Sequence, residues 1–437
     1  MTIRCGRWRK EAEDGGRLWN NKGLGIRHAG WEGSSRAVLR GCESRRYFMI
    51  IRNVKVYTEE KEFVDGEIVI QDGRIAAAGE EISGAEQTIL DGEGCYAIPG
   101  LIDLHFHGCK GYDFCDGTKE AIAKIAEYEA SVGVTAISPA TMTLPVNELE
   151  EILAVAAEYK KEADAAGETA GCGGAADLVG VNMEGPFICE EKKGAQDERN
   201  IISCDAEVCR RFMEASRGLV KFVGIAPERN ENAAEFIREM KDKVHISLAH
   251  TNADYDTAMA AFDAGADHAV HLYNAMPAFT HRKPGVVGAV SDSSHVNAEM
   301  ICDGVHIHPS VVRASFKMLG ADRIVLISDS MRATGMPDGQ YTLGGLDVNV
   351  ADGRATLVSN GALAGSATNL MECLKTVVQK MGIPLETAVA CATRNPARCL
   401  GISDEYGALA PGKKGNVVLL DQDLNLKAVV KDGVRIR

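Results

Sequence analysis

Pro99-Gly100-Leu101-Ile102-Asp103-Leu104-His105-Phe106-His107-Gly108 reads as a buried strand that ends in two histidines one residue apart. Side chains at i and i+2 of a strand share a face. His105 and His107 therefore aim into one space, spaced as two ligands of one metal ion could be.

Downstream of this stretch, apolar β-branched runs alternate with Ala- and Glu-rich helical runs. Strands are predicted at Leu101–Phe106, Val134–Pro139, Leu178–Met183, Val220–Ile225, Val244–Ala249, His268–Leu272, Ala298–Cys302 and Ile324–Ile327. Helices are predicted at Thr118–Val132, Val146–Ala165, Asp205–Ser216, Asn232–Lys241, Ala253–Ala264 and Ser310–Leu319. The strands read as apolar throughout, as expected when both faces are covered. Eight such repeats predict an α/β fold, a closed parallel (β/α)8 TIM barrel over residues 99–399. After the eighth strand the pattern predicts a hairpin over Tyr341–Thr356 and helices near Ala367–Met381 and Leu385–Ala392.

Upstream, Ile50–Val56, Val64–Gln71 and Arg74–Ala78 are strand-like, with Asp65-Gly66, Asp72-Gly73 and Asp91-Gly92 read as hairpin turns. The tail returns to strand and turn chemistry at Leu409–Asp421 and Ala428–Gly433. Residues 49–98 and 400–437 are expected to pair into a small β-sandwich beside the barrel. Residues 1–48 are different. They hold all three tryptophans and about eleven Arg/Lys against about five Asp/Glu, so the remainder carries roughly −20. Glu11, Glu13 and Asp14 argue against a transit peptide, which is acid-poor. The expectation is a disordered or non-essential extension, with Met49 as the functional start.

Composition narrows the partners. The net charge of −14 disfavours nucleic acid. No apolar run approaches the ~18 residues that span a bilayer, so no membrane partner is expected. The 13 cysteines form no C-x-x-C and no regular spacing, which predicts free thiols in a reducing, cytoplasmic compartment.

A barrel of this kind carries its chemistry at the C-terminal ends of its strands. Here polar residues cluster there: His105 and His107, Asn182 and Glu184, His250, His271 and Asn274, Asp303 and His306, Ser328 and Asp329. A single histidine at a strand end is more often a hydrogen-bonded structural residue. Imidazoles and carboxylates on six of eight strand ends are not explained that way, and they make a common divalent-metal set.

The Pro-Gly-Leu-Ile-Asp-Leu-His-x-His run and the Ala410-Pro411-Gly412-Lys413-Lys414-Gly415 tail resemble the amidohydrolase superfamily. Within it, Asn182–Phe187, Leu248–Thr251, His271–Pro277, Asp303–His306 and Ser328-Asp329 resemble the N-acetylglucosamine-6-phosphate deacetylase family. The resemblance runs from about residue 50 to the C-terminus. It implies metal-dependent hydrolysis of N-acetyl-D-glucosamine 6-phosphate to D-glucosamine 6-phosphate and acetate, in amino-sugar catabolism. It implies Glu184, His250 and His271 as metal ligands, with His105 and His107 offering a second position. It also implies Asp329 as general base and acid. Substrate contacts carried over are Asn274, the Ala275 N–H, Arg282 (across a dimer interface in relatives), His306 and Leu363, which would wall the methyl pocket. Gln196 stands where some relatives have histidine and is expected to hydrogen-bond a sugar hydroxyl. Many superfamily members bridge two metals with a strand-four lysine; this chain has Gly224-Ile225-Ala226 there. The implied cofactor is a divalent ion, zinc or iron, one or two per subunit. The implied partner is a small sugar phosphate, and the implied assembly is a homodimer.

Three other readings compete. One is the same chemistry on the galactosamine epimer. Another is a cyclic-amide amidohydrolase, disfavoured by the missing strand-four lysine. The last is a sugar-phosphate-binding regulator without catalysis.

Overall fold

The computed structural model describes residues 48–78, 87–170 and 174–437. The expectation for residues 1–48 lies outside these, apart from Phe48.

All eight predicted barrel strands are present. In chain order they are Leu101–Asp103, Val134–Ile137, Asp177–Leu178 running on into Val181–Phe187, Val220–Ile225, His245–Leu248, His268–Ala269, Asn297–Ile301 and Ile324–Ile327. The third to eighth form one parallel sheet in sequential order. The first three are parallel neighbours, and an Ala140–Asn182 bridge joins the second to the third. Closure occurs where the chemistry is expected. Asp329 N–H donates to the His105 carbonyl (3.0 Å) and His107 N–H to the Ser330 carbonyl (2.7 Å). The eighth strand thus pairs with the first, and the sheet has no edge there. Ile102, Leu104, Ala136, Phe222, Ile301, Val325 and Ile327 form a buried cluster of their own.

Helices alternate with the strands because the sequence starts them cleanly. Thr118, Asp205 and Asp254 cap Lys119–Ser131, Ala206–Ala215 and Tyr255–Ala264 by accepting backbone N–H bonds. A helix at Gly285–Asp292, between strands six and seven, was not predicted. Its Gly and Val content is poor for helix formation in isolation. Burial of Gly285 through Val290 decides instead, and a Cβ at Gly288 would lie 2.4 Å from Pro284 Cβ.

Both ends of the described chain enter one seven-stranded sheet. Val417–Leu420 lies antiparallel against Gln87–Pro99, which lies beside Phe48–Tyr57. Alternation sorts its residues. Val417 and Leu419 join Met49, Ile51, Ile68 and Ile70 in the sheet's own core, whereas Val418 and Leu420 pack with the barrel cluster. The fold is a (β/α)8 barrel with a β-sandwich domain built from both ends. Asp72-Gly73 is a tight turn with both φ positive (49° and 79°). Asp65-Gly66 is not a turn; it sits inside Phe63–Gln71 and pairs with Val54 and Lys55. Asp91-Gly92 also lies within a strand, at a bulge where the register jumps. After strand eight, the predicted hairpin is a three-stranded sheet, Gly339–Leu343, Leu346–Ala351 and Arg354–Leu357.

Candidate metal centre

Each candidate ligand but Glu184 stands just past its strand. His105 and His107 follow strand one, Glu184 lies in strand three, His250 follows strand five, His271 strand six and Asp329 strand eight. All six are buried. His250, His271 and Asp329 adopt positive φ (43°, 28° and 50°). Non-glycine residues take such conformations at a cost of about 1–3 kcal/mol each, borne by the surrounding packing and typical of functional sites. Gly224 on strand four leaves no side chain under Glu184; a Cβ there would lie 2.8 Å from Ala249 Cβ and 3.9 Å from Glu184 Cα.

Four imidazoles converge on the Glu184 carboxylate. Its Oε1 lies 2.9 Å from His271 Nε2, 3.1 Å from His250 Nε2 and 3.2 Å from His105 Nε2. Its Oε2 lies 3.3 Å from His107 Nε2, which is equally 3.3 Å from Asp329 Oδ1. Two three-residue groups result, Glu184–His250–His271 and His105–His107–Asp329. A tetrahedral ion with ~2.1 Å bonds has edges of about 3.4 Å; the first group spans 2.9–3.2 Å, and in the second His105 Nε2 lies 4.0 Å from Asp329 Oδ1.

The donor chemistry independently calls for a cation. His250 Nδ1 is 2.8 Å from the Lys192 carbonyl, and His271 Nδ1 is 3.2 Å from the Asn274 carbonyl. Both Nδ1 atoms must carry the proton to bond there, so in neutral rings both Nε2 atoms present lone pairs. Those lone pairs face each other at 3.2 Å and face a carboxylate oxygen. Only a cation among them, a metal ion or a proton, makes this stable. The residues fit a divalent ion.

Electrostatics agree. Burial alone would push the Glu184 carboxyl up, but His250 and His105 outweigh it and hold it well below the usual carboxylate range. Burial likewise opposes ionisation of Asp329, and the hydrogen bond and charge of His107 overcome it and keep the carboxyl low. His107, despite burial, is pushed up to about 10 by its bonds to Asp329 and Glu184. The pocket is an anionic trap for positive charge.

A cavity of about 370 Å³ opens over the centre. Asn274, Ala275, His306, Leu363 and Gln196 line it with His107, Glu184, His250, His271 and Asp329. His306 is gripped by Asp303, through Nδ1–Oδ2 at 2.8 Å and the His306 N–H at 2.9 Å. Burial lowers its pKa, but Asp303 more than compensates and raises it. His308, in contrast, caps Pro309–Leu319 by accepting from Ser310 N. Gln196 is committed differently from the expectation of a free sugar contact. Its Nε2 donates to Glu184 Oε2 (2.7 Å) and its Oε1 accepts from Thr143 N (2.6 Å). Arg282 is exposed in a loop and is not among the lining residues.

Residues 96–436 match the amidohydrolase family model. The chain belongs to the amidohydrolase family. Among relatives of this amidohydrolase, N-acetylglucosamine-6-phosphate deacetylase of Vibrio furnissii is 37% identical over 76% of this chain and 80% of its own. N-acetylgalactosamine-6-phosphate deacetylase of Escherichia coli O157:H7 is 33% identical over 87% and 97%. A solved structure of a Mycobacterium smegmatis N-acetyl-D-glucosamine-6-phosphate deacetylase mutant in complex with N-acetyl-D-glucosamine-6-phosphate superposes with TM-score 0.80. It is 31% identical and covers 89% of this chain and 99% of that one.

This amidohydrolase also holds site residues that sequence reading missed. Glu299, on a strand read as apolar throughout, is fully buried and bonds His105 Nδ1 at 2.7 Å. A lone acid in an apolar run gave no periodic signal, and its partner lies 194 residues away. Lys192 was missed too; it lines the cavity while its carbonyl holds His250.

Proposed function

We propose that this chain is a metal-dependent hydrolase that deacetylates N-acetyl-D-glucosamine 6-phosphate to D-glucosamine 6-phosphate and acetate. The observation that carries this reading is the convergence of Glu184, His250, His271, His107 and Asp329 on one cavity, with His105 buried behind them against Glu184. The named deacetylases among its relatives support it. The imidazole and carboxylate donors suit zinc or iron, one ion with Glu184, His250 and His271 and a second with His105, His107 and Asp329. A bound divalent ion would polarise the amide carbonyl and acidify the attacking water.

The chain's own groups supply the rest. Asp329, held ionised beside His107, accepts a proton as the water oxygen bonds the acetyl carbon. It then delivers that proton to the amide nitrogen, and the C–N bond breaks to leave the free amine and acetate. Leu363 walls the methyl side. Asn274, the Ala275 N–H and His306 receive the sugar phosphate. Arg282, exposed and outside the cavity of its own chain, contacts the phosphate bound by the other subunit of a homodimer. The enzyme works in the cytoplasm. Among the described residues no helix is long and apolar enough to cross a membrane.

In this reading residues 49–98 and 400–437 form the sandwich and 99–399 the catalytic barrel. A chain starting at Met49 should keep full activity, because Met49 is already buried in the sheet opposite Ile70. A second substrate is favoured by one observation: the Escherichia coli relative is named for the galactosamine epimer. Acetate release compared across the two 6-phospho epimers and unphosphorylated N-acetylglucosamine tests the proposal. Equal rates with and without phosphate would overturn it.

A further inference from the structure

The histidine ligands are anchored unequally. His250 and His271 rest on backbone carbonyls. His107 Nδ1 is buried and has no hydrogen-bond partner among the described residues. His105 alone is anchored by a charged group, the buried carboxylate of Glu299.

That carboxylate divides its two oxygens by function. Oε2 serves the metal side: it meets His105 Nδ1 at 2.7 Å and the backbone N–H of His271 at 3.3 Å. Oε1 serves the core side: it meets His268 Nε2 at 3.0 Å and Asn182 Nδ2 at 3.4 Å. Asn182 in turn holds the Leu104 carbonyl at 3.2 Å, immediately before His105. One side chain on strand seven thus braces the tips of strands one, three and six.

We propose that Glu299 is a positioning residue that fixes His105 as a ligand of the second ion. This rests on the metal-dependent reading above and assigns Glu299 a role within it. A carboxylate on Nδ1 fixes the tautomer, aims the Nε2 lone pair outward and makes it more basic. His105 Nε2 is otherwise without a hydrogen-bond partner, and it points at Glu184 Oε1 from 3.2 Å. An amide at position 299 has only one acceptor oxygen, whereas His105 and His268 both need one. Glu299→Gln therefore forces one imidazole out of its tautomer.

The test is ions per chain, counted at buffered free zinc for the unsubstituted protein and for Glu299→Gln, Glu299→Asp and His268→Gln. The unsubstituted chain should hold two ions. Glu299→Gln should weaken the second ion about 10–100-fold while the first is unchanged. Glu299→Asp, which keeps the charge one methylene short, should weaken it less and carries the test if the glutamine variant does not fold. His268→Gln should retain both ions, because it disturbs only the core-side oxygen. Unchanged affinity in the Glu299 variants, equal loss in His268→Gln, or a single ion in the unsubstituted chain would each overturn the inference. No ion in the unsubstituted chain would overturn the metal reading itself.

Discussion

His250 and His271 present their Nε2 atoms to each other at 3.2 Å, while each Nδ1 is tied to a main-chain carbonyl. The candidate ligand sphere is thus largely preformed. Ordering these rings is accomplished in folding, and the binding of an ion does not have to supply it.

Chelation should therefore remove activity without unfolding the protein. Dialysis against a strong chelator is expected to abolish acetate release with far-ultraviolet circular dichroism unchanged. Re-addition of zinc or ferrous ion should restore the rate. Thermal stability should rise with free metal, by about 2.7 kcal/mol at a hundredfold excess over Kd. Full activity in the chelated protein would contradict the assigned centre.

Asp329 is the next test. Replacement by Asn keeps shape and removes the proton acceptor 3.3 Å from His107. Turnover should fall about 10²–10⁴-fold. The ion on Glu184, His250 and His271 should remain, since Asp329 is not in that group. Metal analysis beside single-turnover acetate release separates loss of the base from loss of the ion. An unchanged rate would rule Asp329 out.

The barrel and its tips were legible in the sequence for a physical reason. Strands covered on both faces are apolar runs, so polar residues stand out where those runs end. His105, Glu184, His250, His271 and Asp329 all fall at such breaks. What was illegible depends on packing. Gly285–Asp292 is helical because it is buried, against its propensity. Gly92 reads as turn chemistry, yet it sits in a strand, where a Cβ would lie 2.1 Å from Val54 Cγ1 and the close packing requires glycine. Glu299 and Gln196 gain their meaning only from partners the fold brings to them.

His306 should show its role as a KM effect. Asp303 holds the ring through Nδ1 and raises its pKa. A charge-assisted bond to phosphate is worth about 1.5–3 kcal/mol. His306→Gln should raise KM for the 6-phosphate roughly tenfold to a hundredfold and leave the weak reaction of the unphosphorylated sugar nearly unchanged. Equal effects on both substrates would remove His306 from phosphate recognition.

The last prediction concerns the joint between the two domains. Asp177, at the start of strand three, receives Lys431 Nζ at 3.0 Å from the C-terminal sheet, Lys414 Nζ at 3.1 Å and the Tyr406 hydroxyl at 2.8 Å. Lys431 is 1% exposed. Burial pushes the Asp177 carboxyl up, but Lys431 and Lys414 prevail and hold it below its ordinary value. A carboxyl depressed in the folded state adds stability above its unfolded pKa of ~3.9 and loses it as pH falls through the folded value. Asp177→Asn leaves a buried ammonium short of one counter-charge, so stability at pH 7 should drop by about 3 kcal/mol. The difference between variant and parent should shrink on acidification below pH ~4, as the parent's carboxyl protonates. Thermal midpoints across pH 3–7 test this. A variant deficit that stays constant down to pH 3 would show that Asp177 acts through shape and not through charge.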